Sequence, residues 1–403
     1  MTRRLRLLAL VSLVVAPAAP AQDVGPPTQL DPVTVTGIAG DVPFPEFGAP
    51  FDGFDFRNSN NYFVYQPTPR DPDKRGVPDC DEGTERPVDI VNGNKILIET
   101  DFVLPGEFPL RLVRTHNRLW RGVGIFGIEW SSSFDAKLSF GYGSRQCYFE
   151  PGDGGRTCEY ATSPLTEIFA WRPDGGGLTF KWNVTRSRWE DAKADSVSWI
   201  EQEPDGVWVL HHDGSTVERY TATGEVLSIA NLHGVGWTFE YDAVTSLLKS
   251  VVHSSGRKVE LTWGANGKVS AIRDPAGNIY TYTYVKVWTD PSNYYEIIDT
   301  VTYPGSPSVT RKYTLGGVLF GIVNVGGIQV NGVQYSNYTY YSDGRVKTSG
   351  LVNGIESSSL VYGSNYTEVT NALGVKSRYN LTDANGTKQI TSIERSGITN
   401  CPV

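Results

Sequence analysis

Few residue patterns in the chain have the spacing that chemistry requires. Gly122, Gly124 and Gly127 form G-x-G-x-x-G, which binds a dinucleotide when a strand precedes it and a helix follows it. The residues that follow, 128–134, alternate between large apolar and small polar types, as in a strand. The pattern therefore favours a structural role for these glycines, and we expect no organic cofactor.

The histidines also lack the spacing of a known type of catalytic site. The sequence contains neither H-E-x-x-H nor the G-x-S-x-G nucleophile motif. His211 and His212 are adjacent in a predicted strand, where neighbouring side chains point to opposite faces. The two imidazoles therefore cannot converge on one metal ion.

One pair of acidic residues has to be weighed as a glycosidase pair. Glu129 and Asp135 are six positions apart, which is about 20 Å along an unbroken strand. Glycosidases need carboxylates roughly 5–9.5 Å apart. The spacing excludes this chemistry, and we expect both side chains on the solvated face of the strand.

A second acidic group matches part of a calcium loop. An EF-hand loop requires oxygen ligands at positions that include the first, third, ninth and twelfth, and a glycine at the sixth. Here the ligand positions hold Asp71, Asp73, Asp79 and Glu82, and the sixth position holds Gly76. Arg75 stands where the fifth-position ligand belongs and adds positive charge. We therefore expect a solvated acidic linker, with a calcium site as the alternative.

The composition predicts strands rather than helices. The chain has 403 residues with 43 glycines, 21 tyrosines and 10 tryptophans but a single methionine. Glycine supplies tight turns, and aromatic and β-branched residues favour strands. The formal net charge of −8 argues against a nucleic-acid binder, which needs a basic surface.

The N-terminus predicts export. Arg3, Arg4 and Arg6 precede an apolar run at 7–16, and Ala19-Pro-Ala21 matches a cleavage site, so residues 1–21 form a signal peptide; an uncleaved anchor is the alternative. No later run reaches the roughly 20 apolar residues of a membrane span. We expect the protein in the periplasm, at the cell surface or outside the cell.

An oxidising compartment makes disulfides possible. The cysteines are Cys80, Cys147, Cys158 and Cys401. Cys147 and Cys158 flank a glycine-rich loop at 151–155 and could close one hairpin. Three connectivities remain open.

The texture of the sequence divides the chain into parts. Residues 22–87 form an extended Pro/Gly/Asp-rich leader, 88–206 a β-rich domain, and 207–403 a repeat region with an insertion near 285–307. Alternating aromatic strands end at Tyr241, Trp263 and Tyr284, and again at Tyr340 and Tyr362, with spacings of 21 or 22 within each set. Such a period indicates stacked β-hairpins. The predicted fold is all-β, an antiparallel hairpin array behind a β-rich opening domain.

Two stretches resemble a known family. The unit from Gly224 to Tyr241-Asp242 resembles the YD repeat of Rhs-type proteins. Residues 92–117 and 126–140 resemble the domain that opens the repeat region in that family, through Gly93-Asn94-Lys95, Asp101-Phe102, Pro109-Leu110, Arg114-Thr115-His116-Asn117 and Gly127-Ile-Glu-Trp130. His116 replaces the usual tyrosine. The resemblance covers roughly residues 88–400.

The resemblance implies a scaffold. In that family the repeats spiral into a hollow β-shell around a toxin, and the opening domain helps to seal one end. No core segment or payload is recognisable before Val403, so we expect a partial Rhs-like shell without enzymatic activity, the front part of a polymorphic toxin carrier in interbacterial competition. Its partner would be a downstream or separate toxin polypeptide. The expected structural residues are Arg114, Asn117, Gly127, Trp130, Tyr241, Trp263, Tyr284, Tyr340 and Tyr362.

Two other functions stay open at this point. A surface carbohydrate-binding β-protein would present a row of exposed aromatic side chains on one sheet face and bind cell-surface glycans. A secreted enzyme with dispersed carboxylates would hold at least two acids in a deep cleft.

Overall fold

Alternating apolar residues between glycine turns produce strands throughout the computed structural model. It describes residues 84, 88–120, 122–142, 146–149, 156–159, 165–193, 196–288, 294–319, 322–384 and 387–396. These residues form 29 strands and no helix, which confirms the all-β prediction. No helix in this part of the chain is long and apolar enough to span a membrane. The signal peptide, most of the leader, the calcium-loop residues Asp71, Asp73, Asp79 and Glu82, Cys80 and Cys401 lie outside the described residues.

The first strands belong to small sheets. β1 Ile96–Leu104, β2 Leu110–Asn117 and β5 Trp130–Ser132 form a three-stranded sheet, and β3 Val123–Gly124 pairs with β4 Gly127–Ile128. β7 Gln146–Phe149 and β8 Arg156–Glu159 form a separate hairpin whose register places Cys147 opposite Cys158. The disulfide between these cysteines stays a prediction.

The remaining 22 strands form one antiparallel sheet, which we call the wall. Each strand pairs with the next in the order β6, then β9 through β29. The strands are β6 Lys137–Tyr142, β9 Leu165–Trp171, β10 Gly177–Asn183, β11 Arg188–Asp191, β12 Trp199–Gln202, β13 Trp208–His212, β14 Thr216–Tyr220, β15 Val226–Asn231, β16 Gly236–Tyr241, β17 Leu248–His253, β18 Lys258–Trp263, β19 Val269–Arg273, β20 Ile279–Trp288, β21 Tyr294–Tyr303, β22 Val309–Leu319, β23 Ile322–Val330, β24 Val333–Tyr340, β25 Val346–Leu351, β26 Ser358–Tyr362, β27 Tyr366–Asn371, β28 Lys376–Ala384 and β29 Thr387–Ser396.

The wall curves back on itself near its beginning. Lys137 in β6 forms an antiparallel bridge with Glu225, just before β15. Leu138 donates its backbone N–H to the carbonyl of Gly224 at 2.8 Å. The first strand of the wall therefore contacts the turn that follows β14, six strands further along the ladder.

The turns between strands share one construction. In the β15–β16 turn, Gly234 has φ +76° and donates its N–H to the carbonyl of Asn231 at 2.9 Å. A turn of this kind ends in a left-handed residue, which favours glycine. The Asn-Gly dipeptide predicts a two-residue type I′ turn at Asn266-Gly267, and this prediction is wrong. Only Gly267 has positive φ, and its N–H donates to Gly264 in the same four-residue construction.

The aromatic residue that ends each repeat braces its own hairpin. Tyr241 donates its hydroxyl to the carbonyl of Val226, in the preceding strand, at 2.9 Å. Trp263 donates its indole N–H to Leu248 at 2.8 Å. The other predicted repeat residues do the same at 2.6–2.8 Å: Tyr284 to Val269, Tyr340 to Val325 and Tyr362 to Val346. Each bond links one strand to the preceding strand of the wall.

Residues 88–136, which we call the plug, cover the inward face of the wall. Their buried side chains form one hydrophobic core with residues from β9 to β24. Plug rings meet wall rings closely: Phe108 and Trp237 at 5.5 Å, Phe126 and Tyr282 at 4.7 Å, and Trp130 and Tyr313 at 5.0 Å between centroids. Val88 and Ile90 fill a second cluster with Val346, Leu360 and Val369.

Replacing Gly224 should therefore cost more than replacing a glycine in a free turn. Both Gly224 and Gly234 have positive φ, but a Cβ on Gly224 would lie 2.2 Å from the carbonyl oxygen of Leu138, whereas nothing lies within 4 Å of one on Gly234. We expect Gly234→Ala to lower the free energy of unfolding by about 1 kcal/mol. Gly224→Ala should cost at least about 1 kcal/mol more, because the backbones must separate. Urea unfolding of both variants measures the difference, and equal losses would contradict the closure between β6 and β15.

Candidate functional site: the junction between plug and wall

A β-bulge creates the central polar contact between plug and wall. The register of β1 against β2 shifts between Thr100 and Phe102, which leaves Asp101 as the extra residue. A bulge re-aims the side chain of that residue. Asp101 consequently reaches Arg114, although the ladder places Arg114 opposite Glu99.

Arg114 and Asp101 form a fork-to-fork ion pair. Nε donates to Oδ2 at 2.7 Å and Nη2 donates to Oδ1 at 2.8 Å. Both side chains are fully buried. A buried pair of charges is tolerated only when its remaining hydrogen-bonding positions are also satisfied, and the wall supplies those partners.

Three wall tyrosines complete the network. Tyr282 and Tyr303 donate their hydroxyls to Asp101 at 2.7 and 2.9 Å. Arg114 donates to the hydroxyl oxygens of Tyr303 at 3.1 Å and Tyr313 at 3.2 Å. The guanidinium also lies 5.2 Å from the ring centre of Trp130. The network thus joins β1 and β2 of the plug to β20, β21 and β22 of the wall.

The environment fixes the protonation of these groups. Burial by itself would lower the pKa of Arg114, but the charge and hydrogen bonds of Asp101 outweigh it and raise that pKa well above its ordinary value. Burial raises the pKa of Tyr282 well above the ordinary value, and the negative charge of Asp101 adds to the effect. Burial does the same to Tyr313, against the opposing charge of Arg114. The arginine stays charged and the phenols stay neutral.

Further polar contacts surround this network. Arg311 of the wall pairs with Glu99 of the plug. Asn117 accepts from Asn94 at 2.8 Å and donates to the carbonyl of Asp174 at 3.2 Å. The ammonium of Lys95 is fully buried and lies 4.3 Å from the ring centre of Tyr338. Directional contacts therefore extend from β9–β10 to β24.

Glu129 and Asp135 are not on a solvated face, so that expectation was wrong. Glu129 has φ +63°, which breaks the strand that the sequence pattern predicted. Glu129 is only 2% exposed, and its carboxylate lies 3.4 Å from Nε2 of His116. Asp135 accepts from the backbone N–H of Ile125 at 2.9 Å and from the hydroxyl of Ser132 at 2.6 Å. Both acids fasten the plug internally.

The G-x-G-x-x-G motif forms the short β3–β4 hairpin, with no helix after it. An added Cβ would collide with the Trp120 ring at Gly122 and with the carbonyl of Trp130 at Gly124, and at Gly127 it would make a tight contact with Lys268. Ile125 at the tip accepts from the backbone N–H of Val269 at 2.9 Å. The glycines therefore allow close packing of a hairpin tip against the wall.

The histidine pair is divided between the two faces, as its position in a strand requires. His211 stacks on Trp199 with 3.8 Å between ring centres. Nδ1 of His212 lies 3.2 Å from the hydroxyl of Ser198, and Nε2 lies 3.0 Å from Asp213. Ser198 is 3% exposed, and its hydroxyl oxygen accepts the backbone N–H of Asp213. This Ser–His–Asp arrangement stabilises a turn, because the hydroxyl of Ser198 is buried and already accepts a hydrogen bond from the backbone.

Two notches lie at turns of the wall. A notch of about 360 Å³ is lined by Arg172, Lys193 and three aspartates among others. Within the described ranges, no group of three or more His, Cys, Asp or Glu side chains is placed to hold a metal ion. The strongly exposed tryptophans there are Trp182 at 48% and Trp288 at 57%, on strands far apart in the ladder, so they do not form a row.

The junction combines residues that the sequence singled out with others that it did not. Arg114, Asn117, Gly127 and Trp130 all lie in it. Asp101 was visible only as part of the opening-domain motif, since a bulge has no clear sequence signal. Tyr282, Tyr303 and Tyr313 were three of 21 tyrosines, and nothing in the local sequence separates them from the rest.

One family model matches the first part of the described chain. A family model described as a domain of unknown function (DUF6531) matches residues 85–157, and this domain is found in Rhs/YD-type proteins. No curated protein matches the chain.

Two solved structures are similar to parts of the chain. One, TcdB2-TccC3 without its hypervariable C-terminal region, has 13% identity and a TM-score of 0.32, covering 75% of this chain and 16% of that one. Another, TcdB2-TccC3, has 10% identity and a TM-score of 0.25, covering 66% and 20% respectively. The chain therefore spans a fifth or less of the length of these structures.

Removing Arg114 should leave the buried carboxylate of Asp101 without its counter-charge. We expect Arg114→Met to lower the free energy of unfolding by about 3–5 kcal/mol, because Asp101 loses its counter-charge away from water. Tyr303→Phe, which removes one hydroxyl, should cost only about 1 kcal/mol. Adding Asp101→Leu to Arg114→Met should recover part of the loss. Denaturant unfolding decides, and equal costs for Arg114→Met and Tyr303→Phe would show that the ion pair does not organise the junction.

Asp135 should make stability depend on pH. Burial raises its pKa from 3.8 to about 6, against hydrogen bonds from Ser132 and Ile125 that lower it. A carboxyl whose folded pKa is raised contributes stability below its unfolded pKa and loses that contribution as pH rises through about 6. The unfolding free energy of Asp135→Asn relative to the native protein should therefore improve by up to about 3 kcal/mol between about pH 4 and pH 7.5. A pH-independent difference would refute this assignment.

Proposed function

We propose that the chain is an exported, non-enzymatic β-scaffold whose plug closes one part of a curved wall, and that it serves as the front part of a carrier shell for a toxin polypeptide used in interbacterial competition. The observation that carries this proposal is the burial of the Arg114–Asp101 pair among wall tyrosines. Such a network fixes one segment inside the sheet and leaves no polar group at its centre available for reaction.

The chemistry of the junction supports a scaffold over an enzyme. A catalytic group needs access to substrate and a pKa near the working pH. At the junction Arg114 is buried and its pKa lies far above neutrality, as do those of Tyr282 and Tyr313. The groups donate to one another instead of to a cleft.

The family match supports the carrier role. The matched residues, 85–157, include the whole plug, and the same domain occurs in Rhs/YD-type proteins. The repeated hairpins behind it supply a wall that can be lengthened by adding units, since each unit contacts mainly its neighbours.

The test is to co-express the full chain with a tagged copy of the polypeptide that the next open reading frame downstream encodes. We expect the two to co-purify, the polypeptide to resist added protease, and both to be recovered from the periplasm or medium. The destabilised Arg114→Met variant should lose protease protection, whereas the matched surface variant Arg273→Met, at an exposed side chain, should keep it. Retention of the chain on a polysaccharide column without binding to the polypeptide would overturn the carrier role and favour glycan binding.

A further inference from the structure

Two hairpins of the wall are longer than their neighbours. β20, β21 and β22 have 10, 10 and 11 residues, and β23 has 9, whereas β15 to β19 have five or six. The pairing that joins the two hairpins runs only from Thr300–Tyr303 to Val309–Lys312. The distal halves of the hairpins therefore extend past the shared ladder.

These distal halves meet through side chains and trap part of the plug. Val287 and Ile297 of the first hairpin are buried with Val323 of the second. Ile128 of the plug packs against the same cluster, together with Tyr295 and Val318. We call these two distal halves, residues 285–288 with 294–297 and 315–319 with 322–325, the clasp.

A salt bridge adds to the enclosure of the plug tip. Lys268 and Glu296 pair at 3.3 Å. A Cβ on Gly127 would lie 3.0 Å from Cε of Lys268 and 3.3 Å from the carbonyl of Glu296. The β3–β4 hairpin is thus held between the β18–β19 turn and the clasp.

The second hairpin has an unusual base. Thr314 lies opposite Gly327 and Gly317 lies opposite Asn324. Between them the register shifts twice, which leaves Gly326 and Gly316 as the extra residues of their strands. Gly317 has φ +105°. Glycine weakens a strand, and bulges bend it. The hairpin therefore has a point of low bending resistance between Tyr313 and Val318.

We propose that this glycine base is a hinge, and that the clasp opens and closes over the plug tip while the Arg114 network stays formed. Tyr313, which bonds to Arg114, lies before the hinge, and the clasp residues Val318 and Val323 lie beyond it. Tyr340 holds the strand next to the hinge glycine Gly326, because its hydroxyl donates to the carbonyl of Val325 at 2.7 Å. Bending at the glycines would separate Val323 from Ile128 without moving the tyrosine network.

Hydrogen–deuterium exchange of the full chain with Val323→Asp tests the proposal. A carboxylate in the apolar cluster should open the clasp. We expect amides of residues 122–132 and 318–325 to exchange roughly tenfold faster, while residues 96–114 and 309–313 keep their rates. Val333→Asp, at a valine 71% exposed just beyond the same hairpin, is the matched control and should change neither.

Two outcomes would overturn the proposal. Faster exchange spread evenly over residues 96–132 would mean that the plug leaves as one body, and unchanged exchange at 122–132 would mean that the clasp does not retain the tip. Should Val323→Asp fail to fold, Val323→Ala decides in the same way, with a smaller increase in the same segments. Ile128→Ala gives the reciprocal test, since it should speed exchange at 294–297 and 322–325.

Discussion

The ion pair between Arg114 and Asp101 determines where the plug sits in the wall. Hydrophobic contact has no direction, and the wall offers similar apolar surface at every repeat. An aromatic insert could slide by one repeat and bury almost the same area. Buried charges remove that freedom, because the pair is tolerated only where Tyr282, Tyr303 and Tyr313 meet it. A position one repeat away would leave the charges without those hydroxyls.

The position at which the ion pair holds the plug lies where the repeat spacing of the wall becomes irregular. Tyr303 belongs to β21, inside the segment near 285–307 that the sequence predicts as an insertion, and Tyr313 belongs to β22, just after it. A strictly periodic wall could not specify one position for a non-periodic insert. The irregular strands therefore supply both the unique polar partners and the clasp that encloses Ile128. Regular repeats build the surface, and the exception locates the plug on it.

The parts of the fold that depend on local pattern could be read from the sequence, and those that depend on distant partners could not. Trp263 and Tyr284 lie in predicted strands because alternation and glycine turns are local signals, although β20 continues past Tyr284 to Trp288. Asp101 acquires its role from a bulge, and Glu129 is buried because its positive φ breaks a strand that looked continuous. The Asn266-Gly267 turn shows the same limit, because its length is set by the pairing on either side of the dipeptide.

The glycines show how one turn can serve two purposes. Gly234 and Gly224 both have positive φ, as their shared turn requires. Open space surrounds a Cβ at Gly234, whereas one at Gly224 would lie 2.2 Å from the backbone carbonyl oxygen of Leu138. The same residue type is thus required by conformation in one turn and by conformation and contact in the other. Contacts of this second kind occur where the plug or β6 packs against a turn of the wall. The turns of the repeated hairpins therefore also help to determine how the first part of the chain packs against the rest.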